Sequence, residues 1–130
     1  MSHFSTIKTQ LREAEPLIKA INFLGYSINH EEKLIKGYKG KFTAVDISMN
    51  LPSDTKVGFK WDNNSNTYEL VTDLDLWKFD IPVERFISKV SQMYAYQTII
   101  SKTKDDGYQI VEQNNKNDGS IELFLTKWDN

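Results

Sequence analysis

The amino-acid sequence predicts an α+β fold, a mostly antiparallel sheet with two helices packed on one face. Three observations predict it. Residues 57–72 alternate apolar and polar side chains on both arms of a loop made of Asp62, Asn63, Asn64, Ser65 and Asn66, the pattern of a β-hairpin. Two other segments, near 16–24 and 82–104, repeat apolar residues at helical spacing. Both of these run into a glycine followed by Tyr-x-Ile, as Gly25-Tyr26-Ser27-Ile28 and Gly107-Tyr108-Gln109-Ile110, so the chain reads as two β-α-β-β-like halves. The echo has two explanations: a duplication, or the common use of glycine to end a helix ahead of a strand.

Each element has a local reason. Residues 2–9 are rich in β-formers and predict a first strand. Pro16 is expected at the first helical position, where its missing N–H costs nothing. Leu17, Ala20, Ile21 and Leu24 then make one apolar stripe, and Gly25 stops the helix. Short strands are expected at 26–28 and 34–38, with a turn at Gly40. Residues 42–51 read as one longer strand, with Thr43, Val45, Ile47 and Met49 on one side and Ala44, Asp46 and Ser48 on a wetter one. After a Pro52-Ser53-Asp54 turn, the hairpin puts Val57, Phe59 and Trp61 on one face and Gly58, Lys60 and Asp62 on the other. Residues 73–80 are irregular, with Leu74, Leu76, Trp77 and Phe79 available to cover an edge of the core. The second helix starts at Pro82 and ends near Lys104. Its stripe is Val83, Phe86, Ile87, Val90, Tyr94 and Gln97, and Lys102 and Lys104 complement the dipole in its last turn. A final hairpin joins 108–113 to 120–128.

Composition narrows the function. The 130 residues are expected to form a single globular domain, 1–130, with 39% apolar residues available for its core. A formal net charge of −2, with both signs interspersed, argues against a general nucleic-acid binder, which needs an excess of Lys and Arg on one face. The chain has no cysteine, which removes disulfides, thiol catalysis and thiolate metal sites. No apolar run approaches the ~20 residues of a membrane span. Met1 to Ser5 carries neither a hydrophobic signal core nor an Arg-rich segment, so the chain is expected either to stay where it is made or to have been given without its address.

An ordered set of short stretches then points to a family. They are Met1-Ser2-His3-Phe4-Ser5 with Ile7-Lys8-Thr9-Gln10, Gly37-Tyr38-Lys39-Gly40, Gly58-Phe59-Lys60-Trp61, Tyr68-Glu69-Leu70-Val71-Thr72-Asp73-Leu74, Trp77, Tyr94-Ala95-Tyr96-Gln97-Thr98 and Asp118-Gly119-Ser120-Ile121. Taken together, they resemble a cyanobacterial and plastid family of unknown function, known as hypothetical chloroplast reading frame thirty-five. Gln97 stands where that pattern leads one to expect His, and Lys39 where it leads one to expect Arg. These departures weaken any metal or proton-transfer role for the helix position. The resemblance implies a plastid-encoded protein of the chloroplast stroma, without need of a transit peptide, or a cyanobacterial cytoplasmic one. It supplies no catalytic residues.

Four groups of residues are candidates for contact. Lys36, Tyr38, Lys39 and Lys41 lie around a turn whose backbone N–H groups and lysines could hold a phosphate or a base, or could simply be edge lysines that discourage aggregation. Tyr94, Tyr96 and Gln97, with Trp61, Tyr68 and Trp77, could line a pocket beside the second helix, or could be core and backbone partners. Asp73, Asp75 and Asp80 could hold a divalent cation but lack the spacing of a calcium loop, and turn or helix-start aspartates are the plainer account. In the last strand, Ile121, Leu123 and Leu125 share one face, which leaves Phe124 and Trp128 on the other as a partner surface unless something covers them. No nucleophile elbow, phosphate loop or dinucleotide fingerprint is present. The leading expectation is a non-enzymatic accessory protein that binds another protein in the assembly or regulation of a plastid complex, with no cofactor. The alternatives are an anion, nucleotide or RNA binder using the lysine turn, and a small enzyme with a pocket beside the second helix.

Overall fold

The alternating arms of the predicted hairpin are strands β6 (Thr55–Asp62) and β7 (Thr67–Asp73) in a computed structural model that describes residues 4–118 and 120–127. Earlier in the chain come β1 (Phe4–Lys8), α1 (Ala14–Phe23), β2 (Ser27–Asn29), β3 (Leu34–Lys36), β4 (Phe42–Ala44) and β5 (Ile47–Leu51). After the hairpin follow α2 (Val83–Asp105), β8 (Tyr108–Asn115) and β9 (Ile121–Lys127). Five strands pair antiparallel in the order β1-β7-β6-β5-β2, while β3-β4 and β8-β9 form separate two-stranded ribbons.

The register of the β6–β7 hairpin pairs Val57 with Thr72, Phe59 with Leu70 and Trp61 with Tyr68. Period-two alternation therefore sends Val57, Phe59 and Leu70 to one face of the sheet, where all three are fully buried. Leu17 and Ile21 of α1 and Phe86 and Val90 of α2 complete that core, together with Ile47, Met49 and Leu51 of β5. Both helices thus pack on one face, as the sequence predicts. Both also end as expected. Gly25 (φ +89°) closes α1 with Tyr26 N–H donating to Ile21 O and Gly25 N–H to Asn22 O, and Gly107 (φ +83°) closes α2 by donating to Lys104 O. The first helix starts two residues before Pro16, so the proline is its third residue. That position is also free of an intrahelical N–H bond, which is why the ring is tolerated there.

The sheet's other face is where the sequence reading needs correcting. Residues 42–51 are not one strand. The chain crosses between sheets at Val45 and Asp46, and Val45 and Ile47 end up on opposite faces of the five-stranded sheet. The crossing is held by Val45 N–H donating to Lys33 O, Asp46 N–H to Phe59 O, and Trp61 N–H to the Asp46 carboxylate at 2.6 Å. Val45 packs there with Ile35, Val71 and Phe4, so the β3–β4 ribbon covers the face opposite the helices. A Cβ on Gly58 would stand 2.6 Å from Val45 Cγ1, so only glycine lets the ribbon sit this close.

The β-α-β-β order does occur twice, as β1-α1-β2-β3 and β7-α2-β8-β9, but the two halves end differently. β2 pairs into the main sheet, whereas among the described residues β8 and β9 pair only with each other and rest against α2.

Gly58→Ala is expected to cost about 1–3 kcal/mol by overpacking against Val45, measured by denaturant unfolding. In a Val45→Ala background the same change should cost clearly less, since the two sites share one contact. Equal costs in the two backgrounds would contradict the packing described.

Candidate functional site

The residues proposed as a pocket beside the second helix do not all converge: Tyr68 neighbours both Trp61 and Tyr94, whereas Trp77 and Tyr96 lie elsewhere. Tyr94 and Tyr96 are two positions apart on α2 and so project from different sides of it. The Tyr94 hydroxyl accepts from the backbone N–H groups of Arg12 (3.2 Å) and Glu13 (3.0 Å). Glu13 is the N-cap of α1 and has no side-chain cap of its own, so Tyr94 supplies an acceptor at the start of that helix. Tyr68 works on the same segment, with its N–H donating to Leu11 O and its carbonyl accepting from the Thr9 hydroxyl. Its ring meets Trp61 edge-on at 5.1 Å. Burial first, then the nearby Asp46 and Tyr94, push the Tyr68 hydroxyl above the ordinary phenol range, which keeps it protonated.

Trp77 belongs to a different place. It packs against Phe86 and Phe79 and donates its indole N–H to Ile81 O at 3.0 Å. Phe86 lies eight residues before Tyr94, about 12 Å along the helix axis. Gln97 is half-buried, with its amide nitrogen 3.9 Å from the Met93 sulfur, and orders no polar pocket. Tyr96 leans on Phe23 and donates to Gln113 Oε1 at 2.6 Å, which ties α2 to β8. Tyr96 borders a cleft of about 260 Å³ between the C-terminus of α1, α2 and the β8–β9 ribbon.

The lysine turn is also rearranged. Tyr38–Gly40 forms a tight turn in which Lys39 takes φ +56° and Gly40 φ +71°. Gly37 N–H donates to Lys41 O, Lys41 N–H to Tyr38 O, and Tyr38 N–H to the buried Asp73 carboxylate at 3.0 Å. Those donors are therefore committed within the fold. The Lys39 ammonium lies 5.5 Å from the Tyr38 ring centroid, a cation–π contact, and Lys41 is exposed. Lys36 of this group lines a cavity of about 230 Å³, where it meets Lys56 and Lys78. The sequence reading did not single out these last two. Period two does put Lys56 on the Gly58 face, and that was the available signal.

Of the three candidate aspartates, Asp73 serves the fold. Asp73 caps the 74–76 turn by accepting from Asp75 N–H at 3.0 Å. No group of three or more His, Cys, Asp or Glu side chains could hold a metal ion among the described residues. No helix among them is long and apolar enough to cross a membrane.

The last two strands carry several exposed apolar side chains. Phe124 is 45% exposed, Val111 58%, and Tyr108, Leu125 and Ile99 of neighbouring α2 are exposed as well. Ile121 and Leu123 are half-buried and border a cleft along α2, so alternation turns Phe124 to the far side. Val111 sits in a β-bulge, between the pairs Ile110–Leu125 and Glu112–Phe124, and sequence periodicity gives no hint of it. Trp128 lies outside the described residues.

Comparison with known proteins decides the lineage. Residues 20–124 match a family described as "Protein of unknown function (DUF1257)". The chain belongs to the DUF1257 family. Curated relatives named "Uncharacterized protein ycf35" occur in Guillardia theta (36% identical) and Pyropia yezoensis (37% identical), each alignment covering 98% of both chains. A third, from Cyanophora paradoxa, is 32% identical over 98% of both. These are the plastid reading frame that the residue pattern resembles. No solved structure matches the chain.

Tyr94→Phe is expected to lower stability by about 1 kcal/mol and to speed amide exchange at Arg12 and Glu13. Gln97→Ala should change stability by less than about 0.5 kcal/mol. Thermal unfolding and amide exchange would show whether the two positions differ in this way.

Proposed function

We propose that this DUF1257 protein is a non-enzymatic accessory protein whose β8–β9 ribbon binds an extended segment of a partner protein. The observation that carries the reading is the concentration of exposed apolar side chains, Val111, Phe124, Leu125 and Tyr108, on a ribbon that pairs with no other strand among the described residues. A two-stranded ribbon is marginal on its own, and its free edges offer unpaired N–H and C=O groups in register for an added strand. Apolar side chains next to such an edge supply the contact area, and backbone pairing supplies the direction.

Charge favours a protein partner over a nucleic acid here. The ribbon and its turn carry Glu112, Lys116, Asp118, Glu122 and Lys127, with both signs interspersed and one pair joined, Lys116 to Glu122 at 3.6 Å. Association at this surface is therefore driven by apolar burial and depends weakly on salt. The family resemblance and the ycf35 relatives support a plastid or cyanobacterial setting. Within it we propose the stroma or cytoplasm, and a role in assembling or regulating a plastid complex.

The test compares immobilised wild-type protein with a Val111→Ser, Phe124→Ser variant in plastid or cyanobacterial extract. The reading expects a protein that wild type retains through a high-salt wash and the variant loses, together with slowed amide exchange in β8 and β9 of the complex. Both substituted side chains are exposed, so the variant should unfold at the wild-type temperature. Equal retention by both proteins, or none by either, would overturn the proposal.

A further inference from the structure

The β3–β4 ribbon lies across the back of the sheet and leaves a trench beneath it. At one end is the cavity of about 230 Å³ that brings together Lys36, Lys56 and Lys78. These come from three separate segments, and each has a fixed backbone. Lys36 pairs with Phe42 in the ribbon, the Lys56 carbonyl accepts from the Thr72 hydroxyl at 2.8 Å, and Lys78 N–H donates to the Thr55 hydroxyl at 3.0 Å.

Two carboxylates share this cavity, and both are engaged. Asp73 accepts from Tyr38 N–H on one oxygen and from Asp75 N–H on the other. Asp54 pairs with Lys56 at 3.2 Å, and Lys56 also donates to the Asn50 amide at 2.9 Å. Lys36 and Lys78 have no ion-pair partner among the described residues. The cavity therefore holds two uncommitted ammonium groups and a third that can be shared, on a rigid frame.

Lys36 and Lys56 also border a second cavity of about 150 Å³, so the two cavities adjoin at these side chains. Its lining is of another kind: the ring of Phe42, 56% exposed, the amides of Asn29 and Asn50, and the carboxylate of Glu32. A ligand seated along the trench meets cations at one end. At the other it meets a flat apolar ring with hydrogen-bonding groups of both kinds.

We infer that the trench under the β3–β4 ribbon binds a nucleoside diphosphate, with its phosphates between Lys36, Lys56 and Lys78 and its base against Phe42. Glu32 repels a phosphate from the far end and accepts from ribose hydroxyls or an exocyclic amine, which fixes the direction of binding. Lys39 and Lys41 take no part, because neither lines the trench.

Titration of the isotope-labelled full chain with ADP, GDP and inorganic pyrophosphate at low salt, followed by amide chemical shifts, tests this. ADP or GDP should shift Gly37, Lys56 and Lys78, bind more weakly as salt rises, and bind about tenfold more weakly for each lysine removed in Lys36→Ala and Lys78→Ala. At physiological salt, Lys39→Gln, beside the same ribbon but outside the trench, should leave binding within about twofold of wild type. The nucleotides should bind more tightly than pyrophosphate, with Phe42→Ala removing the difference. No shift with any of the three, or shifts that persist unchanged in Lys36→Ala and Lys78→Ala, would overturn the site. Equal affinity for nucleotide and pyrophosphate would overturn the assignment of the base end.

Discussion

The approach of Val45 to Gly58 is the contact on which the rest of the structure depends. Strand β6 lies in the middle of the sheet, with β7 on one side and β5 on the other. Its Val57 and Phe59 face the helices, and a side chain at position 58 would hold the β3–β4 ribbon away from the opposite face. With glycine there, Val45, Ile35, Val71 and Phe4 close a second, smaller core. The sheet is then covered on both faces, in a chain whose length would ordinarily provide for one. The ribbon's turn is pinned at its far end by Asp73, and the lysine trench is the space that remains between those two anchors.

This arrangement uses most of the apolar residues before the chain reaches Tyr108. The main core draws on α1, the first half of α2 and strands β5 to β7. The distal half of α2 contributes only Thr103 to the buried set, and none of the described residues of β8 or β9 is buried. The ribbon is therefore attached by half-buried contacts, among them the Tyr96–Gln113 hydrogen bond and the flanks of Ile121 and Leu123. Physically it is a low-stability appendage on a well-covered platform, and such units are the ones that reorganise on binding. In the two roles proposed above, the apolar surface of that appendage would bind with little dependence on salt and the cationic trench with a strong one.

Much of this was legible in the sequence where the interactions are local. The β6–β7 hairpin, both helix stripes and both glycine caps follow from spacing alone, and Phe124 is exposed as the alternation of the last strand implies. The residues that were misread are those whose partners are distant in sequence. The strand over 42–51 breaks because Asp46 finds the backbone of Phe59 and Trp61, which periodicity within 42–51 cannot register. Tyr94 lies in an apolar stripe, and only the fold shows its hydroxyl capping a helix some eighty residues earlier. Lys56 and Lys78 are unremarkable surface lysines until the crossing of the β3–β4 ribbon brings Lys36 between them. The aromatics read as one pocket, Trp61 on β6, Tyr68 on β7, Trp77 before α2 and Tyr94 and Tyr96 on it, serve three separate contacts.

Native-state amide exchange across the whole chain tests most directly the claim that a two-faced platform carries a loosely held ribbon. The account predicts that amides of β5, β6 and β7 exchange only through global unfolding. Those of β8 and β9 should exchange through a separate opening of much lower free energy. Protection in β8 and β9 equal to that of β6 would contradict it, because the ribbon would then be part of the same cooperative core and not a surface held open for a partner.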